Sequence, residues 1–285
     1  GLSNLPSILR DNTDRNRTSP FASRGSKFEF RAIGSSASVS LANTVLNGAV
    51  SESLNLIAAD IEKLIVAEPA FQAAVLKVLR KYIIETEPIR FEGNNYDKAW
   101  QEEAARRGLP NVRRSGYALD ALVAEKNIRM LSSQSIFSEE EITSSYHTKL
   151  EQYIKTLEIE AATLNDLIKT QILPAAIRHQ NQLQEAVSGL MSCQEEMNDA
   201  IIATETELLK EYLGAIASVH SNRKTLMETV AGGLRIDNLS KRAKYFADNV
   251  VDQIETVRQS IDFLESITSD DLWPLPKYSE MLFIL

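Results

Sequence analysis

The sequence predicts a mainly α-helical protein, in which a short strand precedes a helical domain. Apolar residues recur at intervals of three and four over most of the 285 residues, which is the period of an amphipathic helix. One segment, KFEFRAI at residues 27–33, instead alternates with the period of a strand. Three long helical stretches in the second half predict a long antiparallel hairpin or bundle.

The N-terminal segment is predicted to be a loop followed by that single strand. Residues 1–26 contain the breakers Pro6, Pro20 and Gly25 and show no periodicity. In the strand that follows, the alternation places three charged residues on one face, with about 7 Å between successive ones. These residues are Lys27, Glu29 and Arg31.

Helices are predicted to follow from residue 42 onward. Pro69 can open a helix at its first position, and Gly108 is suited to end one. The predicted elements of this region are a helix over 42–66, a helix from Pro69 through Tyr82, a loop over 85–96, a short helix over 97–107, and a helix from Leu119 to Leu131.

Stronger periodicity marks the second half of the chain. Ser138 and Glu141 have the spacing of a capping box, which predicts a helix start. Apolar stripes then run from Tyr146 to Ile168, from Met197 to Val219 and from Leu239 to Leu264, and we interpret them as core positions. Pro174 is expected to kink or end the first of these helices, although helix can resume through Ile177.

Composition excludes several classes of function. The net charge of −8 disfavours nucleic-acid or anionic-membrane binding, and no stretch of about 18 apolar residues predicts a membrane span. The single cysteine, Cys193, excludes an internal disulfide and favours a reducing compartment, the cytoplasm. The N-terminal segment lacks the apolar core of a signal peptide. The chain does not begin with Met, and its half-apolar first residues lead directly into a charged loop, so we expect it to be a piece of a longer protein.

Positive charge is concentrated around the predicted strand. Arg15 and Arg17 precede it, and arginine suits phosphate and carboxylate because its planar fork binds two oxygens. A carboxylate between two cations is either a surface ion-pair ladder or part of a site for a metal-bound anion. The second interpretation fits phosphoryl transfer, in which Mg²⁺ is shared between carboxylates and phosphates.

Longer motifs carry a resemblance to a known family. The segment DRNRTSPFASRGSKFEFRAIGSSASVSLANTVLN resembles the N-R and E-x-R region of glutamine synthetases, and its particular form is similar to the type III enzymes. Similar stretches are RFEGNNYDKAWQEEAARRGLPN, LEQYIKTLEIEA and WPLPKYSEMLF, so the resemblance extends over essentially the whole chain.

The resemblance implies an enzyme that makes glutamine from glutamate, ammonia and ATP through γ-glutamyl phosphate, with Mg²⁺ or Mn²⁺. It implies that Arg17 binds the substrate carboxylate and that Glu29 is a metal ligand. It also implies that Arg31 stabilises the transferring phosphoryl group and that Lys27 faces the nucleotide phosphates. The family further implies a ring-shaped homo-oligomer, commonly a dodecamer.

Some features depart from the family pattern. Ala22 stands where many members have another arginine, and Arg24 is a possible substitute. The family's other metal ligands and its base aspartate have no counterpart here, and His147, His179 and His220 lack metal-binding spacing. Because Mg²⁺ needs several oxygen ligands, the chain alone is expected to be inactive.

Two interpretations of the chain therefore stay open. In the first, which the resemblance implies, residues 1–66 with their short strand are the end of the α+β catalytic domain of a glutamate–ammonia ligase, and residues 67–285 form a C-terminal helical domain. In the second, the chain is a non-catalytic helical module that mediates assembly of an oligomer.

Overall fold

Helices make up most of the chain that the computed structural model describes, namely residues 21–23, 28–30, 38–67, 70–90, 97–192 and 199–281. The predicted mainly helical fold is confirmed. The strands are β1 (Phe21–Ser23) and β2 (Phe28–Phe30). The helices are α1 (Ser40–Ala67), α2 (Phe71–Glu85), α3 (Lys98–Arg106), α4 (Ser115–Ala118), α5 (Glu125–Ser133), α6 (Glu139–Leu167), α7 (Leu173–Ser192), α8 (Asp199–Leu234), α9 (Leu239–Tyr245), α10 (Val251–Ser266) and α11 (Tyr278–Met281).

The predicted strand has a partner that the sequence did not reveal. Strand β2 lies within the predicted segment 27–33 and pairs in antiparallel register with β1, so that Glu29 lies opposite Ala22. The assignment of all of residues 1–26 to loop is therefore wrong at Phe21–Ser23. A strand of three residues is too short to show the alternation of apolar and polar side chains that identifies a strand in a sequence.

Most predicted helices of the first half are present with shifted ends. Helix α1 begins two residues before and ends one residue after the predicted helix over 42–66. The predicted start of the next helix at Pro69 lies outside the described residues. Helix α3 ends as predicted, because Gly108 adopts a positive φ of 73°. The amides of Gly108 and Leu109 then bond the carbonyls of Ala105 and Ala104, which is a Schellman motif.

The predicted single helix from Leu119 to Leu131 is wrong. Leu119–Val123 is a 3₁₀ turn, Ala124 is extended with φ −65° and ψ 132°, and α5 starts only at Glu125. Tertiary contacts explain the break, because Leu119, Leu122 and Val123 pack against a buried core.

The capping box at the start of α6 is confirmed. The Glu141 amide donates to Ser138 Oγ at 3.2 Å, and the Ser138 amide donates to Glu141 Oε2 at 2.8 Å. Two amides at the helix N-terminus that would lack an intrahelical acceptor are thereby satisfied.

Pro174 does not end the first long helix. A π turn, Ile168–Ile172, precedes it, in which the Leu173 amide bonds the Ile168 carbonyl. Proline has no N–H for the usual bond, and the wider turn accommodates the missing donor, so that α7 continues to Ser192. The alternative that Pro174 ends the helix is therefore wrong.

The chain divides into two compact units. The first comprises Gly1–Arg113 and Ala124–Ile142, and the second comprises Arg114–Val123 and Thr143–Leu285.

Helix α8 is central to the second unit and packs against α7 and α10. His179 on α7 contacts Tyr212 on α8, whereas Asn165, earlier in the α6–α7 run, bonds Arg223, later in α8, so these helices are antiparallel. Bonds from Tyr212 to Thr268 and from Gln253 to Asn222 show the same for α8 and α10. The predicted antiparallel bundle is confirmed.

A continuous apolar core fills this unit. Its fully buried members include Leu150, Ile168, Val219, Leu226 and Phe246. Most described positions of the predicted stripes are buried or pack against this core, but the core assignment of Leu208 is wrong, because its side chain is 48% exposed. Trp273 from the C-terminal segment is 8% exposed and joins the core.

The first unit has a smaller buried core. Among its described residues, the buried apolar side chains are Ala74, Val78, Leu131 and Ile142. Helix α1 packs against α2 and α5, and Asp60 accepts hydrogen bonds from Lys81 and Tyr82.

Candidate functional site

The four residues predicted to act in phosphoryl transfer fall where side chains are not described. Arg17, Lys27 and Arg31 lie outside the described residues, and Glu29 is placed only as backbone within β2. Their predicted roles therefore stay predictions, and so does the domain boundary near residue 66.

A second polar cluster is described in detail, and sequence reasoning missed it. It lies in the second unit, where the segment 114–123 packs against helix α9 and a second π turn, Phe246–Val250. We call it the Asp120 network, and its members are Arg114, Tyr117, Asp120, Tyr146, Ser240, Lys244, Asp248 and Asp252.

Gly116 allows the close approach that builds this network. A Cβ atom at this position would lie 2.7 Å from the Ala243 carbonyl oxygen and 3.0 Å from Ala247 Cβ. Any larger residue would therefore push the segment off helix α9 and the second π turn. A glycine between Arg114 and Tyr117 is the sequence signal that could have indicated a packed segment here.

Arg114 uses a carbonyl that the π turn leaves free. In this turn the Val251 amide bonds Phe246 instead of Ala247, its partner in a regular α-helix. The Ala247 carbonyl accepts instead from Arg114 Nη1, while Arg114 Nη2 binds Asp252 at 2.7 Å. The hydrogen bond with Asp252 raises the pKa of Arg114 above its ordinary value.

Asp120 is the centre of the network. It accepts from Lys244 at 2.6 Å, from Tyr146 at 2.7 Å and from Ser240 at 3.4 Å. Partial burial opposes ionisation of Asp120, but the hydrogen bonds from Lys244 and Tyr146 outweigh it and hold its pKa below the ordinary value. The same hydrogen bond to Asp120 raises the pKa of Lys244.

Tyr117 links the two halves of the network. Its hydroxyl donates to Asp248, which raises the pKa of Tyr117, and the Lys244 ammonium lies 5.6 Å from its ring centroid. The charged groups of the network thus pair among themselves. Chemically this arrangement fastens the segment 114–123 to two helical elements, because each charge already has its partner.

The first unit contains a comparable anchor around Arg107. Its guanidinium bonds Glu103 at 2.8 Å and the carbonyls of Pro88 and Arg90, and it lies 5.3 Å from the Trp100 ring centroid. The hydrogen bond from Arg107 lowers the pKa of Glu103. Arg107 therefore ties the turn at 87–90 to helix α3.

Metal-binding residues are not grouped in the described part of the chain. Across residues 38–67, 70–90, 97–192 and 199–281, no three His, Cys, Asp or Glu side chains are arranged to hold a metal ion. His147 and His220 are exposed, and the half-buried His179 packs edge-on against Tyr212. Cys193 lies outside the described residues.

Crossing a membrane requires a helix that is both long and apolar. None of the described helices combines that length with that composition.

Comparisons with known proteins find similarity to one family, the glutamine synthetases. Residues 74–191 match the glutamine synthetase C-terminal domain. The chain is 36% identical over 284 residues to a glutamine synthetase of Bacteroides fragilis and 35% identical over 285 residues to a type-3 glutamine synthetase of Dictyostelium discoideum. A glutamine synthetase of Butyrivibrio fibrisolvens is 28% identical over 283 residues.

These matches cover 98–100% of this chain but 39% of each relative, so the chain spans about two fifths of the length of the curated relatives it matches. The resemblance that the sequence motifs predicted is confirmed over both halves of the chain. The chain is therefore similar to glutamine synthetases, a type-3 enzyme among them, and its residues 74–191 match the glutamine synthetase C-terminal domain.

Proposed function

We propose that this chain is part of a glutamate–ammonia ligase, which makes glutamine from glutamate, ammonia and ATP through γ-glutamyl phosphate. The observation that carries the proposal is the match of the whole chain, including the β2 segment, to part of a type-3 glutamine synthetase. Because the chain corresponds to 39% of that enzyme, the activity is assigned to a longer polypeptide.

Four residues of this chain are proposed to serve that activity. Arg17 binds the substrate carboxylate and Glu29 ligates Mg²⁺ or Mn²⁺. Arg31 stabilises the transferring phosphoryl group, and Lys27 faces the ATP phosphates. Support comes from the strand geometry, because alternate residues of an extended strand share a face and β2 contains Glu29.

The donor set of this chain does not hold the metal by itself. Mg²⁺ demands near-octahedral oxygen coordination, and Glu29 is the one ligand proposed here. The described residues add no group of three metal-binding side chains. The remaining ligands are therefore assigned to the rest of the longer polypeptide.

The test is a γ-glutamyl transferase assay on the longer polypeptide with Glu29→Gln. We expect a loss of at least about 100-fold in activity, because a neutral amide is a poor substitute for a metal-ligating carboxylate. Glu185→Gln on the exposed surface of α7 is the matched control and should retain full activity. Equal activity of both variants would remove Glu29 from the site, and an inactive parent enzyme would contradict the proposed function.

Assembly is a second candidate role, which the long helices of the second unit favour. Ile159, Ile177 and Leu208 are large apolar side chains that are 48–56% exposed on α6, α7 and α8. Such side chains are suited to contacts between subunits of a homo-oligomeric ring. Mass photometry of the longer polypeptide tests this role: a ring, such as a dodecamer, that Leu208→Glu disrupts supports it, and an unaffected assembly contradicts it.

A further inference from the structure

The second π turn interrupts a helix whose sequence does not require an interruption. It lies at Phe246–Val250, between α9 and α10. Across it runs a set of apolar residues at intervals of four and three, which is the pattern of one face of a regular α-helix. The set is Ala243, Ala247, Val250, Ile254, Val257, Ile261 and Leu264. A regular helix from α9 through α10 is therefore a second conformation that suits this sequence.

The wider turn rotates α9 relative to α10. It closes from the Val251 amide to Phe246 instead of Ala247, and one residue of a helix corresponds to a rotation of about 100°. Ala243 and Val257 would lie about 40° apart around a regular helix, and they lie about 140° apart across the π turn. Both are nonetheless 0% exposed, so different neighbours cover them.

Two glycines fit α9 in this rotated position. A Cβ atom at Gly233 of α8 would lie 2.6 Å from the Phe246 ring. On the side of segment 114–123, a Cβ atom at Gly116 would lie 2.7 Å from the Ala243 carbonyl oxygen. The face of α9 that carries Ala243 is therefore packed against segment 114–123.

Segment 114–123 also binds the helix on both sides of the π turn. Lys244 precedes the turn and pairs with Asp120 at 2.6 Å, whereas Asp252 follows it and pairs with Arg114 at 2.7 Å. In a regular helix, Lys244 and Asp252 would lie about 80° apart, and the extra residue brings them within about 20° of each other. The π turn thus directs both charged partners of the segment to the same side.

Arg114 also binds the carbonyl that the π turn releases. In a regular helix the Ala247 carbonyl accepts from the Val251 amide, and here it accepts from Arg114 Nη1. Because π turns are rare, such a turn persists where its surroundings hold it. Segment 114–123 supplies three such contacts, through Gly116, Arg114 and Asp120.

We propose that α9 and α10 form a helix with two registers, and that docking of segment 114–123 through Gly116 and Arg114 selects the π register. When the segment leaves α9, the Val251 amide returns to the Ala247 carbonyl and α9 rotates by about 100° relative to α10. Helix register shifts are motions of the μs–ms range that give discrete states.

Segment 114–123 lies in the chain between the two pieces of the first unit, Gly1–Arg113 and Ala124–Ile142. The register of α9 thus reports whether this stretch is docked on the second unit. The device does not depend on the reaction proposed above.

The test is a crystal structure of the longer polypeptide with Gly116→Val, at a resolution that places each carbonyl oxygen. Valine should push segment 114–123 off α9, because the Cβ atom alone would lie 2.7 Å from a backbone oxygen. We expect the Val251 amide to bond the Ala247 carbonyl, α9 to rotate by about 100°, and the Lys244–Asp120 pair to be lost.

Two further variants complete the test. Arg114→Met removes both guanidinium bonds without adding a clash, and it replaces Gly116→Val if the latter does not fold. Arg178→Met on the exposed surface of α7 is the matched control and should retain the π turn.

Two results would overturn the proposal. A π turn that persists after segment 114–123 has left α9 would be held by local contacts, such as the 3.0 Å bond from Asn249 Nδ2 to the Tyr245 carbonyl. A segment that stays docked in both Gly116→Val and Arg114→Met would show that these residues do not control docking.

Discussion

The two units of the chain bury their apolar side chains to different degrees. In the second unit, the stripes of α6 to α10 converge on a core with members such as Leu150, Val219 and Phe246 at 0% exposure. In the first unit, Leu54 and Phe71 also lie on helices predicted from apolar periodicity, but they are 61% and 62% exposed. Periodicity thus predicts which face of a helix is apolar, and the surrounding chain decides whether that face is covered.

Stability should differ between the units for the same reason. Burial of apolar area contributes about 25 cal/mol per Å², so the second unit contains its own driving force for folding. Many apolar side chains in the described part of the first unit are exposed, so their burial contributes little to its free energy of folding. Paired substitutions test this difference between the units.

The largest contrast is expected between two phenylalanines. Phe246→Ala removes a side chain that is 0% exposed and should lower the free energy of unfolding by about 3–5 kcal/mol, since it leaves a cavity. Phe71→Ala, at 62% exposure, should cost less than about 1 kcal/mol. Urea denaturation followed by circular dichroism measures both, and similar losses would contradict the contrast.

The next contrast compares two glycines of the second unit. Gly116→Ala should cost about 1–3 kcal/mol, because its Cβ would lie 2.7 Å from a backbone oxygen that cannot rotate away. Gly214→Ala, where nothing lies within 4 Å, should instead stabilise α8 by about 0.5–1 kcal/mol. Thermal unfolding gives the sign of each change, and a stabilising Gly116→Ala would show that the segment 114–123 is loosely packed.

A smaller effect is expected at the capping box of α6, in the first unit. Ser138→Ala removes the acceptor of the Glu141 amide and should cost about 1 kcal/mol. Ser188→Ala on the exposed surface of α7 serves as the control and should leave stability unchanged. Equal melting temperatures of Ser138→Ala and the parent chain would show that this cap does not contribute to stability.

The smallest effect concerns acid stability at Asp120. Its pKa is lowered in the folded chain from an ordinary 3.8, so its ionised form stabilises the fold at neutral pH. That contribution is lost as the pH falls through the native pKa, below about 4. For a partly exposed pair it amounts to about 0.2–1 kcal/mol.

Asp120→Asn should therefore lower stability at pH 7 and flatten the dependence of stability on pH between about 5 and 3. Lys244 has a raised pKa, so its own contribution persists until the pH rises above 10.5. Urea titrations at several pH values measure the slope. If stability depends on pH equally in Asp120→Asn and in the parent chain, the Asp120–Lys244 pair does not contribute to the loss of stability in acid.

Local signals account for most of what the sequence predicted correctly. The Ser138–Glu141 spacing, the glycine after α3 and the alternation around Glu29 each depend on neighbours within a few residues.

The features that the sequence did not reveal depend on distant contacts. The break at Ala124 and the widened turn at Phe246–Val250 occur where the segment 114–123 packs on helices more than a hundred residues away. The bond from Arg114 to the Ala247 carbonyl joins two such positions. No pattern in the sequence near Arg114 indicates that its hydrogen-bond acceptor is a backbone carbonyl 133 residues later in the chain.

Hydrogen exchange of backbone amides tests the central claim most directly, when this 285-residue chain is compared with the longer polypeptide proposed above. The account predicts that amides of α8 and α10 are equally protected in both proteins. It predicts that amides of α1 and α2 gain at least about tenfold protection in the longer polypeptide, because their apolar faces are covered there. Equal protection of α1 and α2 in both proteins would contradict it, since the first unit would then be complete without further chain.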